Sequence, residues 1–420
     1  MRMRFAIFAG SMALGLLVGF CPAVAATDQV ITSLSEEIDR ARSGDTIVIS
    51  GPREFKGPIV IKKPVTLIGR NHPVIDGGGS GSAITIYASN VVLRGFTVQN
   101  SGHDLNTLDS AIMLFGHGAE VSDCSVRSGG FGIFVRGATN CTIANNTIIG
   151  DTALRPSSRG NGIHLWKTKY NRVHNNRIRD VRDGIYFSFA DRNEITDNEI
   201  ERTRFAIHYM YSHFNRLLSN SLTANAVGAT LMFSQYSLVQ GNRAFANTRH
   251  GMLFKQLDNS EVIGNFIHGQ NRGLFIQQAA MSRFENNVIA TNDIGVYLSN
   301  GSEQNVFIGN VFLNNVDQIW QPPFDKDLGA GGPNTFYENG RGNYWSDYAG
   351  ADATGDGIGD TPYHETDVYG YLVDRYPEAR VFALSPAVSL LRKSEELLPV
   401  MNLPGVMDLF PLMRPYKGLR

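Results

Sequence analysis

The sequence predicts an all-β protein, a right-handed parallel β-helix (solenoid) of three sheets with about 22 residues per turn. Three observations predict it. A short pattern of glycine or alanine followed by alternating apolar residues recurs through the middle of the chain. An asparagine follows most of these starts at the same distance. Apolar patches recur at fixed offsets within each repeat, at the spacing of strands and not of helices.

The repeat reads Gly162-Ile-His-Leu-Trp166, Gly184-Ile-Tyr-Phe-Ser188, Ala206-Ile-His-Tyr-Met210, Gly228-Ala-Thr-Leu-Met232, Gly251-Met-Leu-Phe-Lys255, Gly273-Leu-Phe-Ile-Gln277 and Gly295-Val-Tyr-Leu-Ser299. Fourteen residues after each start but the last stands an asparagine, and the column runs Asn146, Asn176, Asn198, Asn220, Asn242, Asn265, Asn287. Its one long step is explained by an insertion over residues 151–160, rich in Pro, Ser, Arg and Gly. Asparagine suits such a column for two reasons. It tolerates left-handed backbone at tight bends, and stacked amides can hydrogen-bond from turn to turn. Within each repeat the apolar patches fall at offsets one and three (Ile163 and Leu165), eleven (Val173) and sixteen (Ile178). Weaker matches near Phe55, Gly81 and Ser110 bring the total to about eleven turns. The right hand follows from the general preference of parallel crossovers.

The flanking segments follow from composition. Residues 1–26 read as a secretory signal peptide: Arg2 and Arg4, an apolar run from Phe5 to Phe20, then Ala23-Val24-Ala25-Ala26, with cleavage near Ala25 or Ala26. An uncleaved anchor is the alternative, and no later segment is apolar enough to cross a bilayer. Residues 27–54 form an N-terminal cap whose Leu34, Ile38 and Ala41 have helical spacing, and residues 55–320 form the β-helix. Residues 321–375 are Gly- and Asp-rich. Residues 376–420 combine an amphipathic stretch with a Pro- and Met-containing tail, which either caps the last turn or docks on a partner. Net charge is −1, so no nucleic-acid footprint is present. Cys124 and Cys141 fall in different columns and read as buried thiols, not as a disulfide scaffold.

Candidate chemistry lies on the face opposite the core. If offsets one and three point in, offsets two and four point out, giving Phe134, His164, Tyr186 and His208, then Trp166, Met210, Met232 and Lys255. Met210 and Met232 share one outward column on neighbouring turns, with His208 two residues away, His213 at the next bend and His250 further along. Thioether sulfur is a soft ligand suited to Cu(I), and imidazole also binds copper. These five residues are the expected copper site. A weaker calcium expectation falls on Asp352, Thr354, Asp356, Ile358 and Asp360, which follow EF-hand spacing with Gly357 at the sixth position. The twelfth position is Tyr363, so Asp347 or Glu365 would have to substitute for the usual glutamate. A polysaccharide lyase or epimerase is the alternative function. It would use His103 and Asp104, but the central wall has no paired acidic column.

Several runs carry a family resemblance. They are Ser43-Gly-Asp-Thr-Ile-Val-Ile49, Val65-Thr-Leu-Ile-Gly69, the Asn turns, Gly342-Asn-Tyr-Trp-Ser-Asp-Tyr348 and Leu409-Phe-Pro-Leu-Met-Arg-Pro415. Together these resemble the NosD family of nitrous oxide reductase maturation proteins. The resemblance implies a periplasmic, non-catalytic subunit that works with an ABC transporter, comprising a membrane permease and its cytoplasmic ATPase, and sits at the inner membrane through the permease. It implies a copper chaperone upstream and apo nitrous oxide reductase downstream, with copper as cargo for the copper–sulfur centre. It supplies no ligand positions, so the choice of Met210, Met232 and His208 rests on the columns.

Overall fold

The computed structural model describes residues 33–299, 301–321, 333–365, 369, 372, 376–382, 385–397 and 406–415. The signal peptide expected over residues 1–26 lies outside them. Three parallel sheets dominate. The first, of 12 strands, runs from Thr46–Ser50 to Val306–Ile308; the second, of 13, from Glu54–Lys56 to Tyr344–Trp345; the third, of 12, from Ile59–Ile61 to Asp317–Trp320. Neighbours within a sheet are three strands apart in the chain, except where Tyr344–Trp345 joins Val311–Leu313 at the end of the second sheet, so each strand pairs with its counterpart one turn on. This is a right-handed parallel β-helix of about 12 turns. The stacked strands begin at Thr46–Ser50, within the segment of the N-terminal cap.

Register follows the sequence repeat. Ile163, Ile185, Ile207, Ala229, Met252, Leu274 and Val296 are successive Cα partners, and all are buried. Burying each large side chain in such a column contributes about 2 kcal/mol. No single turn can collect that alone, because its apolar face is covered only by the turns above and below. Cys124 and Cys141 are buried, unpaired thiols within this core.

The asparagine column is a continuous buried ladder. Asn198 Nδ2 donates to Asn220 Oδ1 (2.9 Å) and to the Val173 carbonyl (2.9 Å), while its Oδ1 accepts from Asn176 N (3.0 Å) and Asn176 Nδ2 (2.9 Å). The same pattern carries on through Asn242, Asn265, Asn287 and Asn310 to Asn343. Of the two reasons for asparagine, only the second holds at these positions. The left-handed residue is the one before: Asn145, Asn175, Asp197 and Ser219, with φ of 54–57°. Two further polar columns escaped the sequence reading. One holds Asn171, Asn193 and Asn215, then Ser237, Ser260 and Ser282; the other holds Asn225, Asn247, Gln270 and Asn292.

Both ends are closed, as an open solenoid requires. Helix α1 (Leu34–Arg40) buries Leu34 and Ile38 and is N-capped by Ser33, whose hydroxyl accepts from Glu36 N at 3.3 Å. At the other end Asp408 terminates the ladder. Its carboxylate accepts from Asn343 N (2.6 Å) and Trp345 Nε1 (2.9 Å), and Leu412 N donates to the Asn343 carbonyl (2.8 Å). Gly342 is required there, because a Cβ would collide with the Asp408 carboxylate. The Gly-Asn-Tyr-Trp run and the tail therefore form one cap, so residues 406–415 close the last turn. Between the Gly-Asn-Tyr-Trp run and this tail lies helix α2 (Pro386–Leu397).

Asn198→Ala strands several buried groups and should lower unfolding free energy by on the order of 3 kcal/mol. Asn175→Gly, one residue before a ladder position at φ 55°, should change it by less than about 1 kcal/mol. Urea denaturation of both variants measures the contrast.

Candidate metal centre

The third sheet positions the methionines. Strands Phe205–Met210 and Val227–Gln235 pair in register with Met210 opposite Met232. Both side chains are half-buried. Adjacent strands lie about 4.8 Å apart, so two flexible thioethers can converge on one soft ion.

His208 is held from behind. Its Nδ1 lies 3.1 Å from Asp183 Oδ2, and Arg204 clamps the same carboxylate at 2.7 and 2.9 Å. Asp183 is fully buried. Burial works against its charge, but the hydrogen bonds from His208 and Arg204 outweigh this and hold the carboxyl below its usual range. An ionised carboxylate only accepts, so Nδ1 carries a proton, and in the neutral imidazole Nε2 is then the nitrogen with the lone pair. Nε2 is buried and has no hydrogen-bond partner, with the ring between Tyr186 (4.9 Å) and Phe205 (4.8 Å). A carboxylate fixing one imidazole nitrogen while the other is left to ligate is the usual arrangement behind metal-binding histidines.

The other expected ligands separate. His250 is not in the His208 column; it follows Phe205 and Val227 in register, two turns along, against Phe275. His213 sits half-buried at the bend, its backbone N donating to Asp191. Among the described residues no three His, Cys, Asp or Glu side chains gather around a possible metal position.

The outward wall also differs from expectation. Offset two is largely covered: Phe134, His208 and Thr230 are buried by their own column neighbours. The most open aromatics lie instead near the strand ends, Phe189, Tyr211, Phe214 and Tyr236 being exposed and Phe233 half-buried. Phe189, Tyr211 and Phe233 stack at 5.4 and 4.7 Å, and beside them Phe214 and Tyr236 stack at 4.9 Å. All five have φ of 50–57°, a conformation that costs a bulky residue roughly 1 kcal/mol. Strand alternation does not reveal them, since Phe189, Tyr211, Phe214 and Tyr236 fall outside the strands and Phe233 takes left-handed backbone within Val227–Gln235. Tyr211 and Phe233 directly follow Met210 and Met232, so the methionine pair lies beside an exposed aromatic ridge.

The Asp-rich loop is bound to itself. Asp352 accepts from Gly355 N (2.6 Å) and Gly357 N (2.9 Å), Asp356 from Ile358 N (2.9 Å), and Asp360 from Ala353 N (2.6 Å). Thr354 Oγ1 reaches Asp352 at 3.3 Å. The expected substitutes are engaged elsewhere, because the Tyr363 hydroxyl bridges Glu365 and Asp347. His103 is exposed, while Asp104 and Asp109 tie down their own loop. These segments show no converging acid–base pair.

A parallel β-helix bearing a methionine–imidazole surface is a scaffold that presents side chains at fixed register. Residues 148–350 match the family described as periplasmic copper-binding protein (NosD), and residues 45–203 match a family of unknown function. A probable ABC transporter binding protein NosD from Stutzerimonas stutzeri is 38% identical over 96% of this chain and 94% of its own length. Its counterpart from Pseudomonas aeruginosa is 39% identical over 86% of each. The chain belongs to the NosD family. A family 28 exopolygalacturonase from Yersinia enterocolitica shares the fold alone, at 13% identity and a TM-score of 0.52 over 74% of this chain and 75% of that one.

Burial pushes His164 down to about 3, and burial with the nearby Arg272 and Arg249 pushes His250 down to about 4. Both are neutral in the fold but titrate near ~6.5 when unfolded. The unfolded chain then binds more protons below that pH, so stability should fall as pH drops from ~6.5 towards 4. Melting curves across this window test it. His164→Phe, which keeps the ring contacts to Phe134 and Tyr186, should flatten part of the slope.

Proposed function

We propose that this protein is a periplasmic, non-catalytic subunit of an ABC transporter that binds Cu(I) as cargo. It delivers the metal for assembly of the copper–sulfur centre of nitrous oxide reductase. The observation that carries this reading is the register of Met210 with Met232, with His208 on the preceding strand positions. The ion is received from a copper chaperone on the two sulfurs, with His208, held by Asp183, as the neighbouring imidazole. Soft, few-coordinate ligation holds Cu(I) and releases it to a stronger thiolate or sulfide acceptor. The exposed rings from Phe189 to Tyr236 form the surface on which the apo-reductase docks. The permease and its ATPase are engaged through residues between the solenoid and the terminal cap. The relatives' printed names and the family description support the transporter, the periplasm and copper.

Calcium at residues 352–360 is a separate, weaker proposal. It expects a calcium-dependent rise in melting temperature that Asp352→Asn abolishes.

Anaerobic Cu(I) titration against a chromophoric competitor tests the assignment. Met210→Leu with Met232→Leu should weaken the tightest site by about a hundredfold, two ligands at roughly tenfold each, and leave the melting temperature nearly unchanged. Unaltered affinity and stoichiometry would show that copper is held elsewhere. Turnover of uronate polymers, lost in His103→Ala, would instead establish the enzyme reading.

A further inference from the structure

Beyond the methionine pair, the bend between the second and third sheets opens a concavity of about 740 Å³. Three successive turns line it, chiefly with Arg249, His250, Asn271, Arg272 and Asp293. We propose that this concavity is a binding site for an anionic oxygen group, either a carboxylate or a tetrahedral oxyanion.

The same bend shows its closed form a few turns earlier. Asp183, Phe205, Val227, His250 and Arg272 follow one another in register along one column. Where the column carries Asp183, its buried carboxylate meets both Arg204 and His208. Where it carries His250 and Arg272, no carboxylate is built in. Neither Arg249 nor Arg272 makes an ion pair among the described residues. The one carboxylate in the lining, Asp293, accepts from Asn271 Nδ2 at 2.8 Å. Arg249 and Arg272 lie on adjacent turns, Arg249 one position before the His250–Arg272 pair, so two like charges share one wall of the concavity.

Unpartnered nitrogens point the same way. His250 is 4% exposed and its Nδ1 is buried without a hydrogen bond; Arg272 Nε is likewise buried and unpartnered. Arg272 is oriented by the rings of Tyr297 (4.4 Å) and Phe275 (5.1 Å). A planar guanidinium fixed in this way is suited to paired hydrogen bonds with a carboxylate or oxyanion. The bound group would do for Arg249, His250 and Arg272 what Asp183 does for Arg204 and His208. This site is independent of copper and would work in metal-free protein.

Isothermal titration of the copper-free full chain at constant ionic strength tests it, with sulfate, phosphate, galacturonate and neutral galactose as probes. Saturable one-site binding of an anion, absent for galactose, is expected. Arg249→Gln with Arg272→Gln should weaken it by about tenfold or more, the worth of one charge-assisted hydrogen bond. Arg249 is exposed, so Arg249→Gln alone keeps the fold and should give a smaller loss in the same direction. Preference for sulfate or phosphate identifies a free inorganic ion, and preference for galacturonate an organic carboxylate. Absence of anion binding, equal binding in the double variant, or the same heat from chloride would overturn the proposal.

Discussion

Everything on the surface of this protein depends on one constraint, the locking of each turn to the next by buried amides. A parallel sheet alone would permit a strand to slip. The side chain of Asn198 cannot slip, because it is bonded at once to the turn above, the turn below and a carbonyl in its own turn. In a low-dielectric interior, breaking that set leaves several groups without partners, and each is expensive to bury alone. The ladder ends on Asp408, a residue far along the chain, so the tail that supplies it closes the register as well as the apolar core.

With register fixed, distant residues become neighbours on the outside. Met210 and Met232 meet because the turns are 22 residues long, and an insertion of one residue between them would shift the second out of line. The same geometry places a buried carboxylate behind His208 and an unneutralised pair of arginines further along the bend. The solenoid therefore acts as a rigid rack on which soft ligands, aromatic edges and cationic clusters are set at fixed intervals. Its NosD membership is consistent with such a presenting role.

Much of this was legible in the sequence, for a specific reason. Alternation in Gly162–Trp166 and its repeats, and the recurrence of asparagine, record strand direction and register in residue type. The capping helix could be read from Leu34 and Ile38, and the terminal cap from the Gly342 and Leu409 runs without their connection being visible. Other features were hidden. The second and third polar columns mix Asn with Ser and Gln, although the 22-residue steps of Asn171, Asn193 and Asn215 could have revealed one of them. Phe189, Tyr211 and Phe233 take left-handed backbone that their residue type does not announce. His250 stands one residue before its repeat start, Gly251, whereas His208 stands two after Ala206, an offset that already separates their columns in the sequence and that the pairing bears out.

In the proposed function, register brings Met210 and Met232 together as one soft-metal site. X-ray absorption at the copper edge on Cu(I)-loaded, full-length protein addresses it directly. The account predicts two sulfur scatterers in the first shell, with both lost in the Met210→Leu, Met232→Leu variant. A first shell made only of nitrogen or oxygen, or sulfur ligation that survives the double substitution, would contradict it.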